Sequence, residues 1–115
     1  MIGYGQSLEK IIRGVVNLKK IKKRELKFGD LVVISTRNSV YHFCVLENDF
    51  YIVFGGYFDR KGFSPRIITI NGCTWGGSII KVDIFAACGL RIEFGNRVVT
   101  TVVEKIWIIP GCIQN

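Results

Sequence analysis

Between Leu31 and Ile108 the chain repeats one arrangement, a short run of β-branched and aromatic residues followed by a cluster of turn formers. Seven runs fit it: Leu31–Arg37, Val40–Leu46, Phe50–Tyr57, Arg66–Ile70, Ser78–Phe85, Leu90–Phe94 and Val98–Ile108. Leu90, Ile92 and Phe94 alternate with Arg91 and Glu93, the period of two that marks a strand with one buried face and one wet face. Asn38-Ser39, Glu47-Asn48-Asp49, Asp59–Pro65, Asn71–Gly77, Ala86–Gly89 and Gly95-Asn96 separate the runs. Short strands at this spacing predict a mainly β domain, a small barrel-like or sandwich fold of about seven mostly antiparallel strands.

Particular turns follow from residue chemistry. Asn71-Gly72 suits a type I′ turn and Gly76-Gly77 a close backbone passage, so 71–77 reads as a corner. Gly95-Asn96 reads as a hairpin turn leading into Val98–Val103. Gly55-Gly56, inside an apolar run, predicts a bulge or a sharp bend. Pro110-Gly111 closes the last strand.

A chain of 115 residues is the size of one domain. It divides into a basic N-terminal segment (1–28), a β domain (29–110) and a tail (111–115). In the first of these, Ser7 is suited to cap a helix, and Leu8, Ile11, Ile12, Val15 and Leu18 fall on one helical stripe. The predicted helix ends near Lys20 to Arg24, where cations complement the helix dipole. A hydrophobic fraction of 49% and a mean hydropathy of +0.31 are high for so small a chain. Apolar surface buried in a homo-oligomer is therefore expected, with the helical stripe set against a neighbouring subunit.

The net charge of +7 is concentrated at one end. Residues 1–29 hold eight basic and two acidic side chains, whereas 30–115 hold eight and seven. Lys19, Lys20, Lys22, Lys23, Arg24 and Lys27 form a cluster able to meet phosphates with release of counterions, which points to nucleic acid. An anionic membrane surface is the less favoured partner, and a solvated strip that keeps a greasy protein soluble is the plainest account. Aromatics between Tyr41 and Phe63 would add stacking only where they are exposed. No run is long enough to span a bilayer and no secretory signal is visible, so a cytoplasmic protein is expected.

For chemistry the chain offers little. Cys44, Cys73, Cys88 and Cys112 are widely spaced, without a C-x-x-C, and read as reduced thiols. His42 and Cys44 lie two apart, hence on one face of a strand, and define the alternative of a small zinc or thiol enzyme. Asp83 and Glu93 share predicted faces with Lys81 and Arg91 and read as a charge ladder. Gly76-Gly77-Ser78 lacks the lysine of a phosphate loop and does not match a nucleophile elbow. Arg60-Lys61-Gly62-Phe63 begins like an RNA-recognition signature, but Ser64-Pro65 breaks it. No catalytic, metal or cofactor-binding residue is assigned and no cofactor is expected.

Several strings carry a resemblance. Gly29-Asp30-Leu31-Val32, Arg37-Asn38-Ser39-Val40-Tyr41, Thr74-Trp75-Gly76-Gly77-Ser78, Gly89-Leu90-Arg91-Ile92-Glu93-Phe94 and Thr100-Thr101-Val102-Val103-Glu104-Lys105-Ile106 resemble those of a group of small bacterial all-β proteins with no established function. The resemblance covers the body and implies an intracellular bacterial protein with a compact β fold. It carries over no activity and no site residues. Taken together, the expectation is a non-catalytic binding or assembly module, homo-oligomeric, with nucleic-acid binding through the basic segment as the first alternative.

Overall fold

The computed structural model describes residues 16–76 and 79–111. It is mainly β, as the repeated arrangement predicts. Among the described residues there are eleven strands rather than about seven: β1 (Val16–Leu18), β2 (Lys20–Lys22), β3 (Leu31–Thr36), β4 (Val40–Val45), β5 (Tyr51–Gly55), β6 (Arg66–Ile68), β7 (Ile70–Thr74), β8 (Ile80–Lys81), β9 (Ile84–Ala87), β10 (Arg91–Phe94) and β11 (Val103–Ile109). A short helix, α1 (Gly56–Arg60), and a 3-10 turn (Lys23–Glu25) complete them.

All pairings are antiparallel. The strands form a six-stranded sheet in the order β1-β11-β3-β4-β5-β6, a three-stranded sheet β10-β7-β8 and a two-stranded sheet β2-β9. The described residues close no barrel. Instead, the two small sheets cover one face of the large one. Val32 and Ile34 of β3, Tyr41 and Phe43 of β4, Tyr51 and Val53 of β5, and Ile106 of β11 all point inward and are buried. From the opposite layer Phe85 meets Phe43 and Tyr51 edge-on, each at 5.1 Å between ring centres, and Phe94 meets Tyr41 at 5.5 Å and Phe58 at 5.0 Å. Aromatic pairs favour such edge-to-face contacts, and their apolar area adds to the cohesion that the buried Ile, Val and Leu side chains supply.

The extra strands arise where the chain changes sheets. The run Arg66–Ile70 breaks at Thr69: Ile68 stays on the six-stranded sheet and Ile70 starts β7 in the other layer, both buried. Ser78–Phe85 divides at Val82-Asp83 into β8 and β9. Val98–Ile108 makes one isolated bridge, Val99 to Glu93, before β11 begins at Val103.

The N-terminal helix needs correction where it reaches described residues. Val16–Leu18 pairs with β11, Lys20–Lys22 pairs with β9, and Lys23–Glu25 is a single 3-10 turn. The deciding residue is Ile21, 1% exposed, which points into the core between two lysines that point out. Backbone groups here find strand partners as well, because the Cys88 N–H donates to the Lys19 carbonyl (2.8 Å) and the Lys23 N–H to the Asp83 carbonyl (3.0 Å). The predicted cap at Ser7 and the stripe residues Leu8, Ile11, Ile12 and Val15 lie outside the described residues.

The corner at Asn71-Gly72 is also corrected, since both residues lie within β7. Gly72, at φ 148°, has the Lys81 carbonyl of β8 pressed against the place a Cβ would take, so the glycine serves strand approach and not a turn. The type I′ geometry falls instead at Asn48-Asp49 (φ 59° and 61°), closing the β4–β5 hairpin. Gly95-Asn96 does turn, but as a three-residue loop in which Arg97 takes φ 72°, a type I turn followed by a left-handed residue. Gly55-Gly56 bends sharply, from β5 straight into α1. No helix among the described residues is long and apolar enough to cross a membrane.

Candidate functional site

Local structure sorts the predicted basic cluster. Lys19, Lys20, Arg24 and Lys27 are exposed, while Lys22 and Lys23 are half-buried. The Lys23 ammonium donates to the Ile70 carbonyl at 2.7 Å and to that of Asn71 at 3.5 Å, tying the 3-10 turn to β7. It is a structural anchor. The Lys22 backbone N–H donates to the Glu25 carboxylate at 2.9 Å, so Glu25 stabilises the turn.

Two exposed aromatics stand beside this cluster, Phe28 next to Lys27 and, across the sheet, Trp75. Trp75 follows β7 directly and is 67% exposed, an unusual state for the largest apolar side chain. The Lys81 ammonium of β8 sits 5.1 Å from the centre of its ring, a cation–π distance. Trp75 lines two hollows. One, of about 460 Å³, is bordered by Thr74, Gly76, Arg91, Glu93 and Val99. The other, of about 290 Å³, is bordered by Lys20, Lys81, Ile84, Ala87, Cys88 and Leu90. Lys20 also borders a third, of about 400 Å³, together with Leu18, Lys27 and Pro110. Through these shared walls the hollows follow one another, with Arg91, Lys81, Lys20 and Lys27 along the track and Trp75 within it.

The acids along this track have partners in the protein. Glu93 accepts from the Asn71 amide at 2.7 Å. Asp30 is buried and accepts from the Lys27 N–H (2.9 Å) and the Gly111 N–H (3.0 Å), binding the β2–β3 connection to the end of β11. Glu25 borders the third hollow as well, and all three carboxylates keep their charge while their hydrogen bonds fix them in place, so the cations along the track, Arg91, Lys81, Lys20 and Lys27, outnumber the acids by one.

Sequence reasoning found the lysines but passed over Trp75, Lys81 and Arg91 as site residues. An exposed tryptophan cannot be told from a core one by its neighbours in the chain. The available signal was its place in the Thr74–Ser78 glycine-rich stretch, where a strand cannot continue and a large ring has no sheet face to lie on.

The enzyme alternative places His42 and Cys44 side by side on the outer face of the six-stranded sheet, as their spacing predicts. His42 is stacked on Phe54 (4.8 Å, 3°), and its buried Nδ1 accepts or donates no hydrogen bond. Asp59 lies within its electrostatic reach. That carboxylate accepts from the Gly55 N–H at 3.0 Å, and its hydrogen bonds from Ser64 and Gly55 hold it below the usual carboxylate range, with the His42 charge a smaller contribution. Ser, His and Asp are thus neighbours here, but the acid ties down the β5–α1 bend and does not orient the imidazole as a triad requires. Burial pushes the Cys73 thiol up to about 11, the wrong direction for a nucleophile. Among the described residues, no group of three His, Cys, Asp or Glu side chains is placed to hold a metal ion. Cys112 lies outside them.

No family model, no curated protein and no solved structure matches the chain.

Proposed function

We propose that the protein is a non-catalytic binding module whose ligand is single-stranded nucleic acid, held along the track from Arg91 to Lys27. The observation that carries this reading is Trp75: a mostly exposed indole, flanked by Lys81 and opening onto two hollows whose rims carry Arg91 and Lys20. A base offers a π-face to the indole and its phosphates meet the lysines, which together define a sequence-tolerant strand site. A duplex presents no free base face to a single protruding ring, so single strands are preferred. Counterion release makes such binding salt-dependent.

The test is a fluorescence-anisotropy titration of the full chain with a labelled oligothymidylate and with a duplex, at about 50 and about 200 mM salt. Binding of the single strand should weaken steeply with salt, and Trp75→Ala should cost about 1–3 kcal/mol of affinity. Lys20→Glu should weaken binding and reduce the salt slope by about one. Single-strand binding that Trp75→Ala and Lys20→Glu leave unchanged, or no binding at low salt, contradicts the reading.

A further inference from the structure

The first hollow beside Trp75 has polar walls suited to more than stacking. Arg91 and Glu93 stand two apart on β10 while Ile92 and Phe94 are buried, so both charged side chains point out of the core, and both border that hollow. At Glu93 the pairing of β10 with β7 shifts: Glu93 lies opposite Gly72 and Phe94 opposite Ile70, leaving Asn71 as the extra residue of a bulge. The bulge brings the Asn71 amide onto β10, where it donates to Glu93 Oε2 (2.7 Å) and to the Phe94 carbonyl (3.2 Å). One carboxylate oxygen is thereby pinned, and Oε1 has no donor among the described residues. Arg91 reaches toward the Trp75-Gly76 turn, its Nε 3.6 Å from the place a Gly76 Cβ would take, and no acceptor among the described residues engages it. Val99, bridged to Glu93 and 42% exposed, adds an apolar side to the hollow.

We propose, resting on the strand-binding reading above, that this hollow is a guanine pocket, a position on the Trp75 track that reads base identity. A carboxylate in a track for a polyanion repels phosphates, so Glu93 is matched only by donors on a base. Guanine alone carries two adjacent donors on one edge, N1–H and N2–H, and an ionised carboxylate is a pure acceptor with two oxygens side by side. Oε1 takes one of them, and Oε2, which keeps a lone pair beside the Asn71 bond, takes the other. Guanine O6, next to N1, accepts from Arg91. Adenine and cytosine set an amine beside a ring-nitrogen acceptor, and thymine sets one N–H between two carbonyls. Each of those edges turns lone pairs toward the carboxylate. The volume of about 460 Å³ falls among those of small-ligand sites, roughly 300–1,000 Å³. Elsewhere the track stays sequence-tolerant.

Fluorescence anisotropy of the full chain at low salt, with labelled oligothymidylates that carry one central dG, dA, dC or deoxyinosine, tests the assignment. The dG strand should bind about tenfold more tightly than the all-thymidine strand, with dA and dC near thymidine. Deoxyinosine lacks the N2 amine and should lose most of the gain, although only the probe has changed. Glu93→Gln should bring the ratio of dG to thymidine affinities to about one, because a carboxamide accepts through its oxygen alone. Should that variant lose its fold, the inosine comparison decides. Guanosine monophosphate should compete at least about tenfold more weakly than the dG strand, since a single phosphate reaches few of the lysines. Equal potency would make a free nucleotide the ligand and overturn the strand assignment. Strands that all bind equally while Trp75→Ala weakens them overturn the guanine pocket and leave the strand reading standing. Inosine equal to guanine overturns the pocket too. If no strand binds at low salt, both readings fall.

Discussion

At the scale of single residues, a few polar groups hold places that apolar packing cannot specify. Asp30 satisfies two backbone N–H groups from segments far apart in sequence. Asp30→Ala should therefore destabilise the fold by about 2 kcal/mol, since a buried N–H left without an acceptor costs more than an average hydrogen bond contributes. Chemical denaturation measures that loss. Asp59 governs behaviour in acid. Its folded pKa is depressed by the Ser64 and Gly55 hydrogen bonds, so the stability it contributes is present above the unfolded value, about 3.9, and disappears as pH falls through the folded one. Asp59→Asn should flatten the stability profile below about pH 4 and leave the profile near neutrality level. Thermal melts across that range decide it. At the alkaline end burial raises Cys73 to about 11 and Tyr51 to about 12, the latter with a smaller push from Asp49. Raised pKa values of this kind contribute stability that is complete below the unfolded values and lost as pH climbs through the folded ones, so unfolding should ease between pH 9 and 12. The folded Cys73 thiol should also resist alkylation at pH 8, a point mass spectrometry settles.

Elements show where sequence and structure part. β10 was legible because its burial alternates residue by residue and its apolar positions already alternate in the chain, whereas β3 and β4 were legible as β-branched and aromatic runs bounded by turn formers. The segment from Val16 to Arg24 was misread, for a physical reason. Leu18 and Ile21 are three apart, which serves a helical stripe and two short strands equally well, and the lysines that suit a helix end suit an exposed strand edge. Only the partner strands β9 and β11, far along the chain, decide between them. Ile21→Ala should consequently cost about 3 kcal/mol, a core loss, whereas Lys22→Ala should cost less than about 0.5 kcal/mol. A solvated helix end at this position would make both substitutions nearly silent. Gly72 was misread in a similar way, because an Asn-Gly pair signals a turn locally while the neighbouring β8 backbone demands the glycine for approach. The site was legible in part: its lysines announce themselves by clustering, but Trp75, Lys81 and Arg91 come together only through the pairing of β7 with β8 and β10.

Across the whole molecule, the two layers divide the work. The layer of small sheets carries the exposed tryptophan with Lys20, Lys81 and Arg91, and the large sheet turns a largely apolar face, with Lys105 and Ser35 in one of its rows, away from the core. Its two tryptophans mark the two surfaces, Trp75 on the first and Trp107 on the second. That placement offers a direct reading of the central claim, that a nucleic-acid strand lies against Trp75. Nitrogen-15 correlation spectra of the full chain show one indole N–H signal for each ring, recorded before and after addition of oligothymidylate at low salt. The account predicts that the Trp75 indole signal shifts or broadens on addition, returns when salt is raised, and that Trp107 stays where it was. A Trp75 signal that does not move, or a response confined to Trp107, would contradict it.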